Sequence, residues 1–223
     1  MGTQVELKAA DGHAFKAYLA EPAGKPKGAM IVVQEIFGVN KHIRDVADGY
    51  AAAGYLAIAP GFYERVQPGF EVGYEPKDME AGVAVMQKIK WDEVLKDAAA
   101  GLARVKPAGK VGIVGYCWGG TVAWLAAAKL DGIACAIPYY GGGMYGMINE
   151  KPRVPVLCHF AELDKSPSPE QAKEIIAKHP GINYFFYAGA GHGFNCTERG
   201  SYNAEAAKLA KQRTLEFLAK HVG

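Results

Sequence analysis

The segment Gly115-Tyr116-Cys117-Trp118-Gly119-Gly120 lies between an apolar run typical of a buried strand, Val111–Val114, and a run of helix-forming residues, Thr121–Leu130. Glycines on both sides of Cys117 allow a sharp turn that pushes the central side chain out of the sheet. A thiol there is a candidate nucleophile, because a thiolate attacks electrophilic carbon readily. The segment therefore predicts a strand, a turn that presents a reactive side chain, and a helix.

Short apolar runs alternate with stretches of helical spacing along the rest of the chain. Strands are expected at Val5–Lys8, Ala14–Leu19, Ala29–Gln34, Tyr55–Ala59, Lys110–Gly115, Ile133–Tyr139, Val156–Phe160 and Asn183–Tyr187. Helices are expected at His42–Ala53, Asp78–Ile89, Asp92–Val105, Gly119–Leu130, Ser168–His179 and Ala204–His221. This alternation predicts an α/β fold with a mostly parallel central sheet and helices on both faces. The turn at Cys117 is typical of the α/β-hydrolase fold, and with no dividing linker we expect a single domain over residues 1–223.

The composition excludes several classes of partner. The 223 residues carry 25 basic and 23 acidic side chains, without blocks of one sign, which argues against nucleic acid or an anionic membrane surface. No segment has the length of a membrane span or the pattern of a signal peptide. The cysteines have no metal-like spacing, and a reactive thiol must stay reduced, so we expect no metal, no cofactor and a cytoplasmic location.

Three polar residues follow other predicted strands and complete a candidate site around Cys117. Glu35 follows the third strand, Asp164 follows Val156–Phe160, and His192 follows the last strand. In a parallel sheet, the loops after the strands gather at one edge. The order nucleophile, acid, histidine is that of the α/β-hydrolase triad, in which the imidazole takes the thiol proton and the carboxylate orients the imidazole.

Two further sets of residues are expected beside this triad. The backbone N–H groups of Ile36 and Trp118 are candidates for an oxyanion hole, because each would begin the loop or helix that faces the nucleophile. Aromatic side chains near the same loops are expected to line a substrate pocket: Phe37, Tyr63, Tyr139 and Phe194.

Several motifs together resemble the dienelactone hydrolase (carboxymethylenebutenolidase) family. They are Gln34-Glu35-Ile36-Phe37-Gly38-Val39-Asn40, Asp78-Met79-Glu80-Ala81-Gly82, the Cys117 segment, Ala190-Gly191-His192-Gly193-Phe194 and Gln212-Arg213-Thr214-Leu215-Glu216-Phe217-Leu218. The resemblance runs from about Asp11 to the C-terminus. It implies a monomeric, cofactor-independent hydrolase of small esters or lactones, with Cys117, Asp164 and His192 as the triad and Glu35 in contact with the resting cysteine.

One departure from the family concerns the substrate. Family members hold a substrate carboxylate with two arginines, and the position of one of them, four residues after the histidine, is Cys196 here. Arg65 and Arg199 are the candidate replacements. Because carboxylate recognition by arginine depends on its fork geometry, the sequence does not predict a dienelactone as the substrate.

Two other functions remain open at this stage. Cys117 could be a redox-sensing thiol with Cys196 as its resolving partner, or the chain could be a catalytically idle, ligand-binding member of the same fold. The leading hypothesis is a hydrolase that works through an acyl-thioester on Cys117.

Overall fold

Eight strands form one sheet in the computed structural model, which describes residues 2–223. In chain order they are β1 (Thr3–Lys8), β2 (Ala14–Ala20), β3 (Ala29–Val33), β4 (Leu56–Pro60), β5 (Val111–Tyr116), β6 (Cys135–Tyr139), β7 (Leu157–Ala161) and β8 (Asn183–Tyr187). They are arranged β1-β2-β4-β3-β5-β6-β7-β8. β1 and β2 form an antiparallel hairpin at one edge, β2 pairs antiparallel with β4, and the remaining neighbours are parallel.

Helices cover both faces of this sheet. They are α1 (Lys41–Ala52), α2 (Pro76–Met86), α3 (Trp91–Val105), α4 (Trp118–Lys129), α5 (Pro169–Lys178) and α6 (Ala204–His221). The buried residues fall into two clusters, one with α1 and α6 and the other with α3, α4 and α5. The predicted α/β-hydrolase fold is confirmed.

The side chains of the central strand β3 alternate between the two buried clusters on opposite faces of the sheet. Ile31 and Val33 belong to the cluster under α3 and α4, whereas Met30 and Val32 belong to the cluster under α1 and α6. Successive side chains of a strand point to opposite faces, so a strand that is covered on both sides reads as one apolar run. The same reasoning accounts for β5, which is buried along its whole length.

Local chemistry moves a few boundaries away from the sequence-based expectation. α2 begins at Pro76 rather than at Asp78, because Glu75 and Asp78 form a reciprocal capping box with proline in the first turn. That helix also ends at Met86, three residues before the expected Ile89. β6 begins at Cys135 rather than at Ile133.

The topology places the candidate residues together. β3, β5, β7 and β8 run parallel within the sheet, so the segments after their carboxyl ends meet at one edge. Glu35, Cys117, Asp164 and His192 each lie in one of those segments. Among residues 2–223, no helix combines the length and the apolar character that crossing a membrane requires.

Candidate active site

Cys117 occupies a strained turn between β5 and α4. Its φ of 56° and ψ of −117° are uncommon for a residue with a side chain. The flanking glycines are needed for close packing, because a Cβ at Gly115 would collide with the backbone of Gly119, and a Cβ at Gly119 would lie 2.5 Å from the Gln34 carbonyl oxygen. The turn thus holds the thiol at the edge of the sheet, half-buried and reduced.

Asp164 and His192 form a direct pair beside this turn. The Nδ1 atom of His192 lies 2.9 Å from Oδ2 and 3.2 Å from Oδ1 of Asp164. Asp164 is buried, and its Oδ1 also accepts a hydrogen bond from the backbone N–H of Ser166 at 2.9 Å. The carboxylate is therefore held in place from two sides and can orient the imidazole ring.

The charges around His192 favour its protonated form. Burial alone would lower the pKa of His192, but Cys117 and the Asp164 carboxylate together outweigh it and raise this pKa to about 10. An imidazole with a raised pKa beside a thiol is the arrangement that stabilises a thiolate. The three predicted triad residues are thus brought together, with a thiol, a base and an orienting acid in one place.

The two residues expected to supply the oxyanion hole both lie at the same cleft. Ile36 and Trp118 both line the cavity at Cys117. Within residues 2–223, neither of their N–H groups takes part in a backbone or side-chain hydrogen bond. Trp118 is also the first residue of α4, where the N–H groups of the opening turn have no partner inside the helix. Two N–H groups without a partner beside the cavity are compatible with the predicted oxyanion hole, which stays a prediction.

Glu35 is buried next to the site and pairs with a cation. Its Oε1 lies 3.2 Å from Nη1 of Arg199, and its Oε2 has no hydrogen-bond partner among the described residues. Burial lowers the pKa of Arg199, but the nearby carboxylate more than compensates for it. Among the described residues, the side-chain partner of Glu35 is Arg199, and the contact with the resting cysteine that the resemblance implies stays a prediction.

Glu35 also belongs to a compact polar cluster. Donor atoms of Glu35, His42 and Cys196 lie within 4.8 Å of one another, and all three residues are buried. A carboxylate, an imidazole and a thiol can hold zinc. Two features oppose a dication here: the Arg199 guanidinium beside Glu35, and burial that raises the pKa of Cys196 to about 11 and keeps its thiol protonated.

The cavity at the triad measures about 840 Å³. It is lined by Ile36, Val83, Met86, Gln87, Ile89, Trp91, Cys117, Trp118, Thr121, Gly142, Gly143, Leu163, Asp164, Lys165, Ser166 and His192. The sequence reasoning missed the apolar wall from α2 and the start of α3. The available signal was the spacing of Val83 and Met86, which are three residues apart and hence on one face of the predicted helix. Trp91 gave no such signal; in the structure it is 36 % exposed and its ring stacks on Trp118, with centroids 6.0 Å apart.

The structure corrects the expected aromatic pocket. Phe37, Tyr63, Tyr139 and Phe194 are each at most 2 % exposed and do not line the cavity at Cys117. They pack against other aromatic rings, and the Tyr139 hydroxyl is bonded to Thr214 at 2.7 Å. Their large apolar area stabilises the core, so burial there takes precedence over contact with a ligand.

Comparisons with known proteins agree with this geometry. The sequence profile of the dienelactone hydrolase family matches residues 15–222. Carboxymethylenebutenolidases of Pseudomonas putida and Pseudomonas knackmussii are each 35 % identical to the chain, which covers 95 % of either relative, and the alignments span 96 % of this chain.

Solved structures point the same way. A Klebsiella pneumoniae protein assigned provisionally to the dienelactone hydrolases superposes with a TM-score of 0.86 at 29 % identity, over 99 % of this chain and 100 % of that one. A metagenomic dienelactone hydrolase-like promiscuous phosphotriesterase, at 18 % identity and a TM-score of 0.81 over 100 % of this chain and 99 % of that one, shares the fold. The chain therefore belongs to the dienelactone hydrolase family.

Proposed function

We propose that this protein hydrolyses small esters or lactones through an acyl-thioester on Cys117, with His192 and Asp164 completing the triad. The observation that carries the proposal is the shared cavity of Cys117 and His192, whose Nδ1 is 2.9 Å from the Asp164 carboxylate. Membership of the dienelactone hydrolase family and the names of the Pseudomonas relatives support the same reaction class.

The first half-reaction forms the thioester. His192 takes the proton of Cys117, and the thiolate sulfur attacks the carbonyl carbon of the substrate. The resulting oxyanion accepts hydrogen bonds from the N–H groups of Ile36 and Trp118, each worth roughly 3 kcal/mol to the transition state. The tetrahedral intermediate collapses when the C–O bond breaks, and His192 protonates the departing oxygen. With a lactone, that oxygen stays tethered to the acyl group.

The second half-reaction restores the enzyme. His192 removes a proton from a water molecule, and the hydroxide attacks the thioester carbonyl. The C–S bond then breaks, the carboxylic acid leaves, and Cys117 recovers the proton from His192. Asp164 keeps the imidazole in the tautomer that both halves require. Besides water, the two half-reactions use only side chains and backbone groups of this chain, and we propose, as the family resemblance implies, that the protein works as a monomer.

The role of Glu35 remains a prediction. We propose that the Glu35–Arg199 ion pair fixes the loop that carries Ile36, since Glu35 immediately precedes it and is almost fully buried. A Glu35→Gln variant is expected to lose kcat while leaving KM for a small ester within a factor of about three, because it disturbs the oxyanion hole rather than binding. An equal loss in kcat and a rise in KM would contradict this role.

The test of the main proposal is hydrolysis of p-nitrophenyl butyrate. Cys117→Ala and His192→Ala are each expected to reduce kcat by a factor of about 10³ or more. His221→Ala, which changes a histidine at the end of α6, serves as the matched control and is expected to retain full activity. Unchanged turnover in Cys117→Ala would overturn the proposal.

The redox alternative is less well supported by the structure. Cys196 is fully buried, and burial, followed by Glu35, raises its pKa to about 11, which is the opposite of what a resolving thiol needs. All four cysteines, Cys117 and Cys196 among them, are free thiols in the structure. Peroxide treatment followed by mass spectrometry would reveal a Cys117–Cys196 disulfide if the redox role were correct.

A further inference from the structure

The wall of the cavity around Cys117 is mainly apolar. α2 and the segment that follows it contribute Val83, Met86 and Ile89, and the loop after β7 contributes Leu163 on the opposite side. Leu163 is 64 % exposed, so a large apolar side chain faces solvent at the mouth of the cavity. Exposed apolar surface around a concave site is typical of a surface that an apolar ligand covers.

Two tryptophans extend this wall towards the nucleophile. Trp91 stacks on Trp118 with ring centroids 6.0 Å apart and an angle of 24° between the rings. Trp118 is the residue directly after Cys117, so its ring carries the apolar surface up to the turn. Trp91 is 36 % exposed and keeps part of its ring free for a ligand.

Charged groups along the cavity are few and balanced. Besides His192, the charged residues that line it are Asp164 and Lys165. Asp164 is already bonded to His192, and Lys165 is exposed, so its ammonium is well hydrated and binds a carboxylate without the fork geometry of arginine. Among residues 2–223, no arginine lines the cavity.

The two arginines that could have taken a substrate carboxylate are both occupied. Arg199 pairs with Glu35 and lies 5.7 Å from the Phe37 ring. Arg65 donates to the Asp97 carboxylate at 2.7 Å. A free carboxylate that entered the cavity would therefore lose hydration and meet no arginine there, only the hydrated Lys165 and His192, which is already bonded to Asp164.

We infer that the physiological substrate presents an uncharged, mainly apolar acyl group to this cavity, and that a carboxylate on the acyl group weakens turnover. The inference rests on the proposed function, because the acyl group is the part of the substrate that bonds to Cys117 in the first half-reaction and leaves it only in the second. It must therefore occupy the cavity that Cys117 lines. Each methylene buried against the wall is expected to raise kcat/KM by up to roughly fourfold.

The main experiment compares p-nitrophenyl esters that differ only in the acyl group. The neutral series is acetate, butyrate and hexanoate, and the charged partner of the hexanoate is the mono-p-nitrophenyl ester of adipate, which has the same number of carbons. We expect kcat/KM to rise along the neutral series and to fall by about tenfold or more for the adipate monoester. A flat series, or an adipate ester that is turned over faster than the hexanoate, would overturn the inference.

Two variants test whether the preference for longer acyl groups comes from the apolar wall of the cavity. Met86→Ala is expected to reduce the preference for hexanoate over acetate by about threefold or more, because Met86 lines the cavity. Met79→Ala is the matched control: Met79 is on the same helix, is 41 % exposed and does not line the cavity, so the preference should be unchanged. Equal effects of the two substitutions would contradict the assignment.

A binding measurement separates this inference from the proposed function. Quenching of tryptophan fluorescence is followed with nonan-2-one and with 8-oxononanoate, a ketone of the same length that ends in a carboxylate. We expect nonan-2-one to bind about tenfold more tightly in the wild type and to lose that advantage in Trp91→Ala. This preference without any ester hydrolysis would refute the proposed function and leave only the preference of the cavity for an uncharged, apolar ligand, whereas ester hydrolysis with tighter binding of 8-oxononanoate would refute the inference alone.

Discussion

Replacement of Asp164 by asparagine is the perturbation that separates the triad from a mere cluster of polar residues. The substitution keeps the shape of the side chain and removes its charge, which lies 2.9 Å from Nδ1 of His192. The amide nitrogen of asparagine donates a hydrogen bond, so it also favours a proton on Nε2 of His192. The imidazole could then no longer accept the proton of Cys117.

The loss of activity expected for Asp164→Asn has two causes. Loss of an opposite charge in direct contact lowers a pKa by about 1–3 units, which would bring the pKa of His192 from about 10 to roughly 7–9. The wrong tautomer has the larger effect: the equivalent change in serine triads reduces kcat by roughly 10⁴, or about 5 kcal/mol of transition-state stabilisation. We expect kcat/KM for p-nitrophenyl butyrate to fall by about 10³–10⁴.

The assay is kcat/KM between pH 6 and 9.5, together with the rate at which iodoacetamide alkylates Cys117. Alkylation of the Asp164→Asn variant should be slower near neutral pH, since less imidazolium is present to stabilise the thiolate. Asp131→Asn is the matched control, because Asp131 is 91 % exposed and pairs with Arg153 on the surface. If Asp164→Asn keeps kcat/KM within tenfold of the wild type, the reasoning on the triad is refuted.

Two stability predictions lie outside the active site. Burial lowers the pKa of His159 to about 3, so the folded protein keeps this imidazole neutral and bonded to Thr214. The unfolded chain takes up a proton at this histidine below pH 6.5. The free energy of unfolding therefore falls as the pH drops from 6.5 towards 3, by about 3 kcal/mol at pH 4.5. Urea titrations at pH 7 and pH 4.5 measure this drop in the free energy of unfolding, which should be about 3 kcal/mol smaller in His159→Asn than in the wild type. An equal drop in the two proteins would contradict the prediction. Asp97→Asn leaves the Arg65 guanidinium without its buried partner and should reduce the free energy of unfolding by about 3 kcal/mol. Asp11→Asn, on the exposed side of the same arginine, should reduce it much less, and equal losses in these two variants would contradict the account.

Much of the fold could be predicted from the sequence because its signals are local. The run Ala29–Val33 is apolar without alternation, as a strand covered on both faces must be. The glycines around Cys117 are required by backbone contacts that no larger residue permits. The proximity of Asp164 and His192 could be predicted because loops after parallel strands meet at one edge of the sheet, and the chain order and the family resemblance suggested their roles.

The lining of the cavity could not be predicted in the same way. Phe37 and Trp91 carry the same chemical signal in a sequence, yet the first is buried in the core and the second is partly exposed in the cavity wall. Whether an aromatic ring is buried in the core or lines the cavity depends on how elements that are distant in the sequence pack together. Here the cavity is formed by α2, the start of α3 and the loop after β7. The partner of Arg199 is equally non-local, since Glu35 is 164 residues away.

The central claim is that Cys117 carries the acyl group, and rapid-quench mass spectrometry tests it most directly. The protein is mixed with p-nitrophenyl butyrate, quenched in acid within milliseconds and digested. The account requires a butyryl group on the peptide that contains Cys117, formed at the rate of the p-nitrophenol burst and absent from Cys117→Ala. A burst of p-nitrophenol with the butyryl group on another residue, or with none on the protein, would contradict it.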